Sequence, residues 1–262
     1  MAKIIAISNQ KGGTGKTTTT INLGIGLARR GKKVLMIDLD PQGSMTIALG
    51  NPDADSMKNT ISDLFVTTVN DEDWLAKDYI LQHSEGVEYI PANIDLASVE
   101  VQMVSVTSRE TILKRIVTNI LDEKEYDYVL IDCMPSLGVL TINSLTCANS
   151  VLVPVQAHHL PVKGLQQLFK SIGQAKKMLN PNLEIEGILI TMVNSRTNYN
   201  REIIDKLKEA YGEYVCIFKQ IIPISVRAAE TSAEGKSIYV HNPKGKVAAA
   251  YMGLTEEVLA HE

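Results

Sequence analysis

Residues 10–18 read Gln10-Lys11-Gly12-Gly13-Thr14-Gly15-Lys16-Thr17-Thr18 and follow directly on the apolar run Ile4-Ile5-Ala6-Ile7. An apolar strand, a glycine-rich turn and a helix start, in that order, direct several backbone N–H groups and the positive end of a helix dipole at one anion. Glycine suits such a turn because a side chain would block close approach or forbid positive φ. The general spacing G-x-x-x-x-G-K-[ST] places glycine where Gln10 stands. Here Gly12-Gly13 and a second lysine, Lys11, precede Lys16 instead. The segment predicts a phosphate-binding loop between a first strand and a first helix.

Beyond the loop, apolar runs alternate with helical patterns, the signature of an α/β fold with one doubly wound, mostly parallel sheet and helices on both faces. Strands are expected near 3–8, 33–38, 87–90, 127–131, 150–155, 185–191 and 215–222, and helices over 16–30, 98–122, 137–147, 162–178, 199–210, 226–234 and 246–260. Gly31 stands where the first helix should end, and Asn180-Pro181-Asn182 breaks the chain before a strand. The stretch from Gly50 to Gly86 reads as a surface excursion. At 262 residues, one large domain spanning 1–262 is the expected division.

Two of the strands end in acid. Val34-Leu35-Met36-Ile37 runs into Asp38-Leu39-Asp40, and Tyr128-Val129-Leu130-Ile131 runs into Asp132. In a doubly wound sheet the C-terminal strand ends converge on the ligand crevice, so these carboxylates should approach the phosphates. Acids at i and i+2 of an extended segment point the same way, and one can polarise an attacking water while the other supports magnesium or its waters. Asp132 has the setting of a carboxylate that holds magnesium through water.

Composition sets limits on partners. A net charge of −4 and a pI near 5.8 give no global positive field for nucleic acid or anionic lipid, so such binding has to come from a local patch. From Lys219 to Lys246 there are five Lys/Arg (219, 227, 236, 244, 246) against Glu230 and Glu234. Cys133, Cys147 and Cys216 are isolated, which points away from zinc or iron–sulfur chemistry and fits a reduced cytoplasm. The apolar run after Lys3 ends at Ser8, too short for a signal-peptide core or a span.

Lys11-Gly12-Gly13-Thr14-Gly15-Lys16-Thr17-Thr18 resembles the deviant Walker A motif KGGxGK[ST]T of the ParA/MinD group of P-loop ATPases. The stretches Ser136–Asn143, Val153–Gln156, Thr191–Asn198 and Ile222–Arg227 resemble its ParA/Soj branch, so the likeness runs from Lys3 to about Leu259. It implies ATP and Mg2+ as cofactors, with Lys11 to Thr18 around the nucleotide, Lys16 on the β- and γ-phosphates and Thr17 on magnesium. Asp40 would orient the attacking water, and Asp38 and Asp132 would stand in the metal shell. Lys11 would reach across an ATP-bound homodimer to the partner's nucleotide. Asn194 and Pro223 would lie beside adenine, and Arg196 and Arg227 on the DNA backbone.

The same resemblance implies a cytoplasmic, nucleoid-associated partition ATPase for a plasmid or chromosome, binding DNA nonspecifically and stimulated by a ParB-like centromere-binding protein. Two positions depart from the pattern: Met134 replaces the first proline of Asp-x-Pro-Pro, and Pro223-Ile224 replaces a proline-arginine pair. The chain begins almost on its first strand, so no N-terminal helix-turn-helix is expected. A MinD-like membrane-cycling ATPase is the alternative, but MinD proteins end in a basic amphipathic helix. Here Val247 to Glu262 carries Glu256, Glu257 and Glu262 and no Lys or Arg, which anionic lipid would repel, and no membrane partner is expected. A bacterial tyrosine kinase would need a C-terminal tyrosine cluster, and the last tyrosine is the solitary Tyr251.

Overall fold

A computed structural model of the chain describes residues 1–157, 162–194 and 198–261. Its strands are β1 (Lys3–Ile7), β2 (Val34–Leu39), β3 (Leu81–Gln82), β4 (Glu88–Ile90), β5 (Tyr128–Cys133), β6 (Ser150–Gln156), β7 (Glu184–Val193) and β8 (Ile217–Pro223). Among the described residues they form an eight-stranded sheet in the order β3-β4-β2-β5-β1-β6-β7-β8. Every pairing is parallel except that of β3 with β4. Helices follow as α1 (Lys16–Arg29), α2 (Ser44–Ala48), α3 (Ile61–Val69), α4 (Asp95–Gln102), α5 (Ile112–Glu123) and α6 (Val139–Cys147), then α7 (Val162–Met178), α8 (Asn198–Tyr211), α9 (Val226–Glu234), α10 (Ile238–His241) and α11 (Lys246–Leu259).

The central strands read as unbroken apolar runs because both faces are covered. Alternation along β2 then divides the core. Leu35, Ile37 and Leu39 join Val129 and Ile131 in the layer packed by α3, α5 and α6, while Val34 and Met36 join Tyr128 and Leu130 in the layer under α1 and α11. Helix α1 lies tight against α11: a Cβ added at Gly26 would stand 2.3 Å from Thr255 Oγ1. The β8 edge is closed by Glu257 of α11, whose carboxylate accepts from the N–H groups of Lys219 and Gln220 at 2.8 Å each.

Two sequence expectations need correction. The helix expected over 98–122 is two, α4 and α5, separated by Ser108 in the left-handed region at φ 55. A buried asparagine of α6 makes the second start possible: Asn143 Oδ1 accepts from Leu113 N at 3.0 Å and its amide donates to Arg109 O at 2.8 Å. The Gly50–Gly86 stretch is not merely surface. It contains α3, whose Ile61, Leu64 and Phe65 are fully buried, and whose start is held by Asp63 accepting from Thr60 N at 2.8 Å. Phe65→Ala should therefore cost about 3–5 kcal/mol, measured as a shift in the urea midpoint; a change under about 1 kcal/mol would return the segment to the periphery.

Candidate functional site

The loop between β1 and α1 is preformed. Gly13 and Gly15 take φ 70 and 86, a sign that a side chain would resist, and Gly15 is the N-cap of α1. A Cβ added at Gly12 or Gly13 would meet nothing within 4 Å, so this rim of the loop is open for a ligand. The loop is tied from behind. Asn9, buried, accepts from Lys11 N at 3.0 Å and donates to Pro154 O at 2.7 Å, and Thr191 Oγ1 donates to Thr14 O at 2.8 Å. Gln10, where the general motif has glycine, sends its amide to Gly164 O of α7 at 2.5 Å. Lys16 is 7% exposed and its Nζ lies 3.4 Å from Lys11 O.

Strand register brings the acids to this loop. Asp132 pairs in register with Ile7 of β1 on one side and with Asp38 of β2 on the other. Thr17 Oγ1 donates to Asp132 Oδ2 at 2.7 Å, and Thr20 Oγ1 lies 3.3 Å from Oδ1. Asp38, fully buried, accepts at Oδ2 from Thr46 N at 2.8 Å and Thr46 Oγ1 at 2.7 Å, and at Oδ1 from Asp40 N at 3.2 Å. Asp40 stands at the solvent side and accepts from Gln42 N at 3.0 Å.

Burial raises the Asp132 carboxyl above the usual carboxylate range, the neighbouring charge of Asp38 adds to this, and Thr17 and Lys16 oppose it. Asp38 is raised too, by burial against the donors from Thr46 and Asp40. Lys16 is lowered by burial although Asp132, Cys133 and Asp40 pull the other way. Burial disfavours the charged forms of both carboxylates, and a divalent cation bound beside them would restore those forms. The donors suit magnesium with a polyphosphate: backbone N–H groups and a lysine for the anion, hydroxyl and carboxylate oxygens for a hard divalent ion. The Cys133 thiol beside Asp132 is pushed up to about 12 by burial and touches Ser144 Oγ at 3.1 Å, an unreactive packing role.

Farther along the crevice, Val193 pairs with Pro223 and Ile224 N donates to Val193 O at 3.1 Å, so Asn194 and Pro223 stand side by side at the ends of β7 and β8. Arg227 is exposed on the first turn of α9. Arg196 lies outside the described residues. Of the other cations, Lys236 is drawn to Glu234 at 3.4 Å and Lys219 sits on β8, apart from Arg227 in the chain's course. Sequence reasoning missed Asn9, Thr46 and Thr191, and also Met192, held at φ 54 with its sulfur 3.2 Å from Gln156 Nε2. For Asn9 the signal was its place just before the loop; the other three reach the site only through tertiary contact.

A mostly parallel sheet with a phosphate loop after β1 and acids ending β2 and β5 defines a P-loop NTPase-like protein. The AAA domain family matches residues 2–185. The chain is 42% identical over 261 residues to the sporulation initiation inhibitor protein Soj of Bacillus subtilis, with all of both chains covered. It is 36% identical over 260 residues to the chromosome partitioning protein ParA of Caulobacter vibrioides, covering 99% of this chain and 95% of that one. Among solved structures it is similar to a Mycobacterium smegmatis protein named cobyrinic acid a,c-diamide synthase, bound to an ATP analogue and magnesium, at TM-score 0.86 and 33% identity over 100% of this chain and 96% of that one. The chain belongs to the Soj/ParA family.

Proposed function

We propose that this chain, acting as one domain over residues 1–262, is a DNA-partition ATPase that hydrolyses Mg-ATP, dimerises on ATP, binds DNA nonspecifically and is stimulated by a ParB-like centromere-binding protein. The observation that carries the reading is the meeting of the two-lysine loop with Thr17, Asp132, Asp38 and Asp40 at three aligned strand ends. Relatives named for chromosome partitioning support it at 36–37% identity. These identities exceed the 33% for the mycobacterial protein named as a synthase, and so favour partition over amide formation.

In this reading the loop amides of residues 12–18 and Lys16 hold the phosphates, and Thr17 and Asp132 hold magnesium directly or through water. When bound, magnesium would neutralise negative charge that develops during phosphoryl transfer. Asp38 stands in the same shell, and Asp40 orients the attacking water at the open rim. Lys11 acts across the dimer. Its backbone is taken up within the loop, and among the described residues its ammonium has no carboxylate within ion-pair distance. Asn194 and Pro223 flank the base.

Arg227 and Arg196 contact DNA phosphates, which positions the protein without reading sequence. In a chain of net charge −4, one subunit binds DNA poorly, and pairing two subunits doubles the contacts. Among the described residues no helix is long and apolar enough to cross a membrane. Nucleoid DNA, rather than lipid, is the proposed surface in the cytoplasm.

Fluorescence anisotropy of a labelled random duplex tests this. Affinity should require ATP, fall at least roughly tenfold from about 50 to 200 mM salt, and drop for all sequences alike in Arg227→Ala. Pelleting with anionic liposomes runs alongside. Tight liposome binding with no DNA binding would overturn the proposal in favour of a MinD-like one.

A further inference from the structure

Helix α2 has five residues, and one of them, Thr46, is bonded unlike several helical threonines elsewhere in the chain. Thr20, Thr67, Thr118 and Thr146 each give their hydroxyl to the carbonyl four residues back, at 2.8–3.1 Å. That is how a threonine is satisfied inside a helix when nothing else claims it. Thr46, fully buried, turns elsewhere: its hydroxyl accepts from Ala92 N at 2.9 Å and donates to Asp38 Oδ2 at 2.7 Å, and its own N–H goes to the same oxygen at 2.8 Å. A relay of hydrogen bonds thus runs from the segment after β4, through Thr46, to Asp38.

The relay closes the loop that carries Asp40. Asp38 and Thr46 are its two ends. Inside it, Gly43 N donates to Asp40 O at 2.9 Å, Gln42 N to Asp40 Oδ1 at 3.0 Å, and Asp40 N to Asp38 Oδ1 at 3.2 Å. Gly43 takes φ 58, and a Cβ there would lie 3.0 Å from Ala92 O, so the turn is pressed onto the residue whose N–H donates to the Thr46 hydroxyl. Thr46 is one end of this nine-residue loop and binds the other, Asp38, whose second oxygen accepts from Asp40 N.

We infer that Thr46 is a positioning residue for the carboxylate pair Asp38 and Asp40, fixing where they stand relative to Asp132 and the phosphate loop. The inference rests on the proposed ATPase reading. Losing the hydroxyl lets Asp38 rotate and the loop loosen, while the glycine loop and Lys16, tied through Asn9 and Thr191, are untouched. Thr46 should thus affect turnover and the magnesium requirement far more than nucleotide affinity. A generic packing role would change thermal stability and leave that split absent.

The test compares Thr46→Val, which keeps the shape, with Thr46→Ser, which keeps the hydroxyl, in steady-state ATP turnover at varied magnesium and in titration with a fluorescent ATP analogue in EDTA. For Thr46→Val the expected result is a kcat at least tenfold lower, a raised magnesium requirement, and analogue affinity in EDTA within about twofold of wild type. Thr46→Ser should recover kcat to within about threefold. A folded Thr46→Val with wild-type kcat and magnesium response, or a folded Thr46→Ser no better than the valine variant, would overturn the inference. Should Thr46→Val not fold, Thr46→Cys replaces it, with a kcat between the serine variant and none expected, and wild-type kcat counting against. Asp38→Asn runs beside them: wild-type turnover there would remove the ATPase role of Asp38 itself, a failure of the underlying reading and not of the positioning argument.

Discussion

Lys16→Ala is expected to fold normally and to bind Mg-ATP roughly a hundredfold more weakly than the wild type. Lys16 is buried without a contact carboxylate, and its long reach to Lys11 O at 3.4 Å is a weak bond to lose. Burial lowers its pKa in the folded state, so its charged form favours the unfolded chain at neutral pH and removing it relieves that cost. The thermal midpoint should consequently fall by no more than a few degrees. Binding is different, because a polyphosphate inside the loop loses the one lysine placed in its interior. Truncating one partner of such a charge pair costs about 3 kcal/mol, roughly a hundredfold in Kd. Titration with a fluorescent ATP analogue beside a thermal melt separates the two effects. Unchanged affinity would take Lys16 out of the site.

What could be read from the sequence was what lies contiguous in it. The loop 10–18 carries its ligand class in its spacing, and the acids at Asp38, Asp40 and Asp132 could be placed because parallel strands bring their C-terminal ends together whatever their order. The register aligns Ile7, Asp132 and Asp38. Residues that hold these groups in place were not legible. Thr191 is 177 positions from the carbonyl it binds, and no local pattern distinguishes it from any other strand threonine.

The fold errors have the same origin. Apolar residues at helical spacing over 98–122 suggested one helix, but Asn143 from α6 supplies the hydrogen bonds that let the chain stop and start again near Ser108. In the Gly50–Gly86 stretch, charges and turn residues masked a local signal that was present, Thr60 and Asp63 at capping-box spacing ahead of Ile61, Leu64 and Phe65. With Met134 departing from Asp-x-Pro-Pro, Asp132 accepts from Thr17 Oγ1 at 2.7 Å.

Asp40→Ala should bind ATP as tightly as the wild type, turn it over roughly a hundredfold more slowly, and accumulate as a dimer. Positioned proton acceptors contribute on the order of 10²–10⁴ to such steps. Asp40 differs from the buried Asp38 and Asp132 in being partly exposed, where a water has access, with one oxygen engaged by Gln42 N. Its loss leaves Lys16, Thr17 and Asp132 in place, so on the proposed function the nucleotide-dependent contacts between subunits would form and would not be undone by hydrolysis. Lys11→Ala in that background removes the cation proposed to cross the interface and should return the protein to monomer with ATP present. Sedimentation velocity with and without ATP reads both outcomes, and turnover of labelled ATP reads the first. Equal turnover in Asp40→Ala and wild type would remove Asp40 from the mechanism, and a persistent ATP-dependent dimer in the double variant would remove Lys11 from the interface while leaving the loop's own chemistry standing.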